Sequence, residues 1–126
     1  MPKPRTTITF DTVRQLGLAL PDVEVSSAHG SPALKVRGRM FTCEAINKSA
    51  EPNSLVVVVD FAQRDELIAA EPDTYYVTDH YVNHPCVLVR LSHLHPDALR
   101  DLLRMSRDFV STRNKRARAR RRTHSR

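Results

Sequence analysis

The chain has 126 residues, of which 40% are apolar and 6% aromatic, with no tryptophan. That length predicts one domain with a mainly aliphatic core. The N-terminus lacks the apolar stretch of a secretory leader, and no apolar run approaches a membrane span, so both readings fail and the cytoplasm is expected. The formal charge of +6 is unevenly placed: residues 1–112 hold 12 basic and 14 acidic groups, whereas residues 113–126 hold eight basic groups and no acid.

Residues 1–8 read as a polar lead-in. Thr9 is placed to cap a helix in which Phe10, Val13, Leu16, Gly17 and Leu20 recur at helical spacing and which Pro21 ends. Gly17 within that stripe predicts close packing on another element. Val23–Ala28 is a short extended segment, and His29 before Gly30 reads as a turn residue. Gly30–Ile46 reads as a hairpin turning at Arg37-Gly38, because glycine reaches the positive φ that a two-residue loop needs. That register sets Leu34 opposite Phe41 and gives Leu34, Val36, Phe41, Cys43 and Ala45 one face, with Lys35 on the other and Arg37 and Arg39 at the tip. The expected result is a projecting ribbon with a cationic end. Charged tips also serve only to keep hairpins soluble.

A polar loop follows, Asn47–Asn53. Leu55–Val59 has four consecutive valines and is apolar on both faces, as a central strand requires. Gln63–Ala70 is predicted helical with Leu67, Ile68 and Ala70 inward. Tyr75–Val77 is a brief strand or bend, Asp79–Pro85 a loop, and Cys86–Leu91 a second buried strand. Pro96 suits the first position of the last helix. Leu99, Leu102, Leu103, Ser106, Phe109 and Val110 form its buried stripe, with Arg100, Arg104 and Arg107 on one flank and Asp97, Asp101 and Asp108 on another. The charged flanks read either as a pair-laced solvated surface or as an arginine row facing phosphates.

The tail carries Arg113, Lys115, Arg116, Arg118, Arg120, Arg121, Arg122 and Arg126 and no apolar side chain larger than alanine. Packing cannot offset its ordering entropy, so residues 113–126 are expected to be disordered when free. Against a polyanion the same charges release counterions and pair with phosphate oxygens. Binding nucleic acid and merely solubilising the terminus are the two readings of the tail.

Little points to catalysis. His80 and His84 are spaced H-x3-H, and His93 and His95 would share a face in a strand but are expected at a strand–helix turn, and zinc needs three or four converging ligands. Cys43 and Cys86 lie in apolar runs and read as buried, reduced thiols. There is no G-x-S-x-G motif and no glycine-rich phosphate loop, and Asp65-Glu66 suits a helix start. No catalytic residue, cofactor or metal is expected.

Four short motifs carry a resemblance. Leu20-Pro21-Asp22-Val23-Glu24, then His29-Gly30-Ser31-Pro32, then Lys35-Val36-Arg37-Gly38-Arg39-Met40-Phe41, and finally Asp79-His80-Tyr81-Val82-Asn83-His84-Pro85 with Val87-Leu88-Val89-Arg90-Leu91 follow in an order and spacing that resembles the MmcQ/YjbR family over residues 9–112. Arg39 stands where a lysine is common, Cys86 where an aromatic is common, and the arginine tail is an addition. The resemblance implies a small cytoplasmic bacterial protein with an α+β fold related to CyaY. It implies DNA binding by analogy with double-wing domains whose sheet lies on the duplex. Residues and resemblance together predict an antiparallel sheet of about four to six strands with the first and last helices on one face. The expected partner is DNA, bound nonspecifically through phosphates by Lys35, Arg37, Arg39, Arg100, Arg104 and Arg107 together with the tail, in a monomeric protein. A module binding a protein or small molecule on the sheet face and the Asp79–Pro85 loop is the alternative.

Overall fold

A computed structural model describes residues 8–28 and 30–124, with side chains described through residue 112. His29 and residues 1–7 of the lead-in lie outside the described residues. Ile8 does not belong to a loose lead-in: it is buried in the core, and its carbonyl accepts a hydrogen bond from Asn53 Nδ2 at 3.2 Å.

The chain runs α1 (Phe10–Leu18), β1 (Val23–Ala28), β2 (Ser31–Val36), β3 (Arg39–Glu44), β4 (Ser54–Val58), α2 (Phe61–Ala70), β5 (Tyr75–Tyr76), β6 (Cys86–Arg90) and α3 (Pro96–His124), with a 3-10 turn at Leu91–His93. The strands form one antiparallel sheet in the order β1-β2-β3-β4-β6-β5. The valine-rich β4 is central, as a strand apolar on both faces must be. Side chains of all three helices pack on the core of one sheet face, which includes Leu34, Val36, Phe41, Val57, Val87 and Val89. On the opposite face Ala33, Cys43, Val56, Cys86 and Leu88 form a smaller cluster covered by loops.

Thr9 stands at the N-cap of α1, but its side chain makes no cap bond; its carbonyl accepts from the Thr12 and Val13 amides instead. Gly17 packs as its place in the stripe predicts, since a Cβ there would overlap Leu34 Cδ1. α2 begins two residues before the expected Gln63, because the Asp60 carboxylate accepts from the Gln63 amide at 2.7 Å and fixes the start. Ala70 is exposed at its last turn rather than inward. Asp97 and Arg100 form an i,i+3 pair on α3, at 3.8 Å.

The hairpin differs most from its sequence reading. Arg37 (φ 51°) and Gly38 (φ 82°) form the two-residue turn as expected, with Val36 opposite Arg39 and Lys35 opposite Met40. The register then shifts, and Leu34 faces Thr42 rather than Phe41. Phe41 is the extra residue of a β-bulge, which puts two successive side chains on one side of the sheet. Phe41 and Thr42 are both fully buried, Phe41 under the helices, and Cys43 and Ala45 pass to the opposite face. Nor does the hairpin project as a ribbon, because β1 pairs along the whole of β2.

The bulge also parts two strands. The β3–β4 ladder ends at Thr42–Val57. Beyond it the carbonyls of Phe41 and Val58 accept from the buried Ser106 hydroxyl of α3, at 3.0 and 2.6 Å. A single hydroxyl proton is thus shared between two strand carbonyls beyond the end of the ladder. We expect Ser106→Ala to cost about 1–3 kcal/mol, read as a lower urea midpoint with an unchanged slope.

Candidate functional site

Two surfaces carry the polar chemistry. The first is the set of cations at the hairpin tip and along α3. Arg37 Nη2 lies 3.3 Å from the Asp22 carboxylate, and Arg107 Nη2 lies 3.6 Å from the same oxygen. Arg107 also donates from Nε to the Pro21 carbonyl (2.9 Å) and from Nη1 to Asp108 (2.8 Å), and its side chain is only 15% exposed. These two arginines tie the hairpin and α3 to the loop after α1. Arg39, Arg100 and Arg104 are exposed, and Lys35 is half-buried on the sheet face away from the helices. The structure thus brings Arg37 and Arg107 together on Asp22 and places Lys35 on the sheet face opposite α3. The backbone of α3 continues as helix through to His124, where sequence reasoning expects disorder in the free chain from residue 113. The side chains of Arg113, Lys115, Arg116, Arg118, Arg120, Arg121 and Arg122 lie outside the described residues.

The second surface is a groove of about 980 Å³ over the sheet face that bears no helix. Its floor includes Met40, Cys43, Val56 and Cys86, and it reaches Val58 and Val110 where β3 and β4 have parted. One wall is the loop after β3, with Ile46 and Lys48; the other is the expected Asp79–Pro85 loop, with His80, Tyr81 and His84. Ser49 Oγ and Thr78 Oγ1 bond at 2.8 Å and link the two walls. The Tyr76 hydroxyl adds to the tie: it accepts from the Glu51 amide and bonds Ser54 Oγ, while the Arg90 guanidinium stacks 4.2 Å from its ring centroid. The His80 ring meets Tyr81 edge-on at 4.7 Å.

The 79–85 wall is held from below by a residue that sequence reasoning passes over. Arg64 of α2 is buried, and its Nη1 donates to the carbonyls of Val82 (3.0 Å) and His84 (3.1 Å). Its guanidinium lies 4.9 Å from the centroid of the Phe61 ring. Arg64 sits three and four residues before Leu67 and Ile68, so helical spacing places it on their inward stripe. That spacing was the available signal.

Cys43 and Cys86 are free and buried, as their apolar runs predict. Burial pushes the Cys43 thiol from 9.0 up to about 11, with Cys86 and Glu44 adding to the effect. Burial also raises Cys86, against the opposing charge of Arg64. Burial raises the Tyr81 phenol too, partly countered by a backbone hydrogen bond from Asn47. His93 and His95 lie at the turn between β6 and α3, as expected, and both are exposed. Among the described residues no group of three or more His, Cys, Asp or Glu is placed to hold a metal ion, and no helix is long and apolar enough to cross a membrane.

The YjbR family model matches residues 18–109. Among solved structures, a Deinococcus radiodurans protein with a DUF419 domain is similar to this chain at 25% identity and a TM-score of 0.62, over 84% of this chain and 79% of that one. None of the curated proteins matches.

At pH 8 a thiol of pKa about 11 holds roughly 100-fold less thiolate than one of 9.0. Iodoacetamide is therefore expected to label Cys43 at least tenfold more slowly than free cysteine, as followed by mass spectrometry. Between pH 9.0 and about 11 the unfolded thiol ionises while the folded one stays protonated, so the fold loses stability as pH rises through that window. Arg64→Met keeps an unbranched apolar stem and removes the donors. It should cost about 2 kcal/mol and speed amide exchange at His84, whose N–H bonds Tyr81 within the same loop.

Proposed function

The chain belongs to the YjbR family, and we propose that this member is a non-catalytic cytoplasmic DNA-binding protein that grips the phosphate backbone with its C-terminal basic extension. One observation carries the proposal: the positive charge is segregated from an acidic body onto the end of the helix that crosses the core. Residues 113–124 include seven Arg or Lys. As helix they span about 18 Å, or about one positive charge every 2.6 Å, against one phosphate charge per ~1.7 Å of duplex axis.

In this reading Arg113, Lys115, Arg116, Arg118, Arg120, Arg121 and Arg122 neutralise phosphates and release counterions. Arginine adds paired bonds to two phosphate oxygens. Arg39, Lys35, Arg100 and Arg104 are secondary contacts, and Arg37 and Arg107 contribute least because Asp22 already engages both. Such contacts set position on the duplex and carry little sequence information. A second reading, a small-molecule-binding module on the sheet face, is favoured by the groove between the 45–48 and 79–85 loops.

The test is duplex binding across a salt series, with the full chain and with a chain ending at Thr112. The shorter chain keeps every buried side chain described, the last of which is Ser111. We expect the full chain to show a log–log salt slope of about −6, from about −0.9 per phosphate contact, and the shorter chain to lose binding. Equal binding by both chains, weakened by Arg39→Ala, would move the interface to the hairpin and overturn the reading.

A further inference from the structure

We infer that the groove on the helix-free sheet face binds an amphiphilic monocarboxylate, with its apolar body on the strand floor and its carboxylate at Arg39 and Lys48. The inference rests on the second reading above and is independent of the tail.

Three observations carry it. The first is size: about 980 Å³ is at the upper end of pockets that take small organic ligands. The second is the floor. Met40, Cys43, Val56 and Cys86 offer no charge, and both thiols stay protonated at neutral pH because burial raises them. Such a floor accepts an alkyl chain or a ring and desolvates a polar head poorly.

The third is charge. The body to residue 112 is net acidic, with 14 acidic against 12 basic groups. Yet Arg39 and Lys48 line the groove against a single carboxylate, Glu44, with His80 and His84 on the far wall. The local sign is thus opposite to that of the surrounding body. A guanidinium accepts a carboxylate in paired hydrogen bonds. With Glu44 set against Arg39 and Lys48, these charged side chains leave one net positive charge, which matches a monoanion. The groove and the basic extension therefore suit different anions.

The two walls are tied rather than loose. Ser49 joins Thr78, and Arg64 pins the 79–85 loop from beneath. The cavity is thus largely formed before a ligand arrives, which lowers the ordering cost of binding.

The experiment uses the full chain with 8-anilinonaphthalene-1-sulfonate as a fluorescent apolar monoanion and decanoate as competitor. We expect saturable fluorescence that decanoate displaces and decanol displaces at least tenfold less well. Arg39→Gln with Lys48→Gln should weaken decanoate about tenfold. Ile46→Glu should weaken it similarly, at a position 53% exposed and so without cost to the core. Replacing Arg118, Arg120, Arg121 and Arg122 by Gln should leave the competition unchanged, which separates the groove from the tail. If decanol competes as well as decanoate and Ile46→Glu weakens both, the groove binds small molecules but the anionic class is wrong. If neither competes, or if the tail variant alone abolishes the signal, both the inference and the small-molecule reading fall. Concentration-dependent dimerisation that buries the groove and is lost in Ile46→Glu would overturn the inference in favour of a second copy as occupant.

Discussion

Phe41 is the extra residue of a bulge, and most of the molecule's layout follows from it. An unbulged hairpin with the same Arg37-Gly38 turn would keep strict alternation along β3. Phe41, Cys43 and Ala45 would then face the helices, and Thr42 would face the groove. Instead Phe41 and Thr42 are both buried, and Cys43 passes to the other side. The bulge does not change the side of Phe41, which lies under the helices in either register; it buries Thr42 beside it and sends Cys43 and Ala45 to the other face. Its cost is a β3–β4 ladder that stops at Thr42–Val57, and the Ser106 hydroxyl offsets that cost by serving the carbonyls of Phe41 and Val58. The parted strands in turn extend the groove to Val110. Core packing and the candidate site are thus consequences of one inserted residue.

Much of the fold was legible. The valine run marked the centre of the sheet, the Arg37-Gly38 turn was correct, and the stripe from Leu99 to Val110 matches the buried side of α3. These features depend on local backbone preference and periodicity, which a sequence displays directly. The bulge was hidden because nothing local demands it: an aromatic and a threonine compete for the same side of a strand, and tertiary burial decides. Arg64 was hidden for a related reason. A charged residue in a helix is read as solvated, yet here loop carbonyls and an aromatic ring replace water around the guanidinium. The groove could be anticipated only as a sheet face and the 79–85 loop. Met40, Lys48 and Tyr81 come from separate stretches that folding brings together.

Electrostatics divides the chain in two ways. Along the sequence, an acidic body precedes a basic extension. Across the surface, Asp22 collects Arg37 and Arg107, which removes two cations from display and uses them to bind the hairpin, the loop after α1 and α3 together. Exposed pairs of this kind contribute little individually. Arg107 is the most buried of the three and holds a main-chain carbonyl as well, so it stands apart from an exposed arginine row.

The weak seam between β3 and β4 also bears on how the chain reaches this structure. On one side lie β1, β2 and β3, contiguous over residues 23–44; on the other lie β4, β6 and β5, contiguous over residues 54–90. Six residue pairs join β1 to β2 and five join β4 to β6, whereas three pairs join the two sets. Strands β1, β2 and β3 pair between sequence neighbours, which is fast, whereas β4 meets β6 only after α2 and β5 have been bypassed. The sheet is thus two leaves of unequal locality joined along a narrow seam. That seam is closed by α3, which comes from the far end of the chain and carries the serine that bridges the leaves.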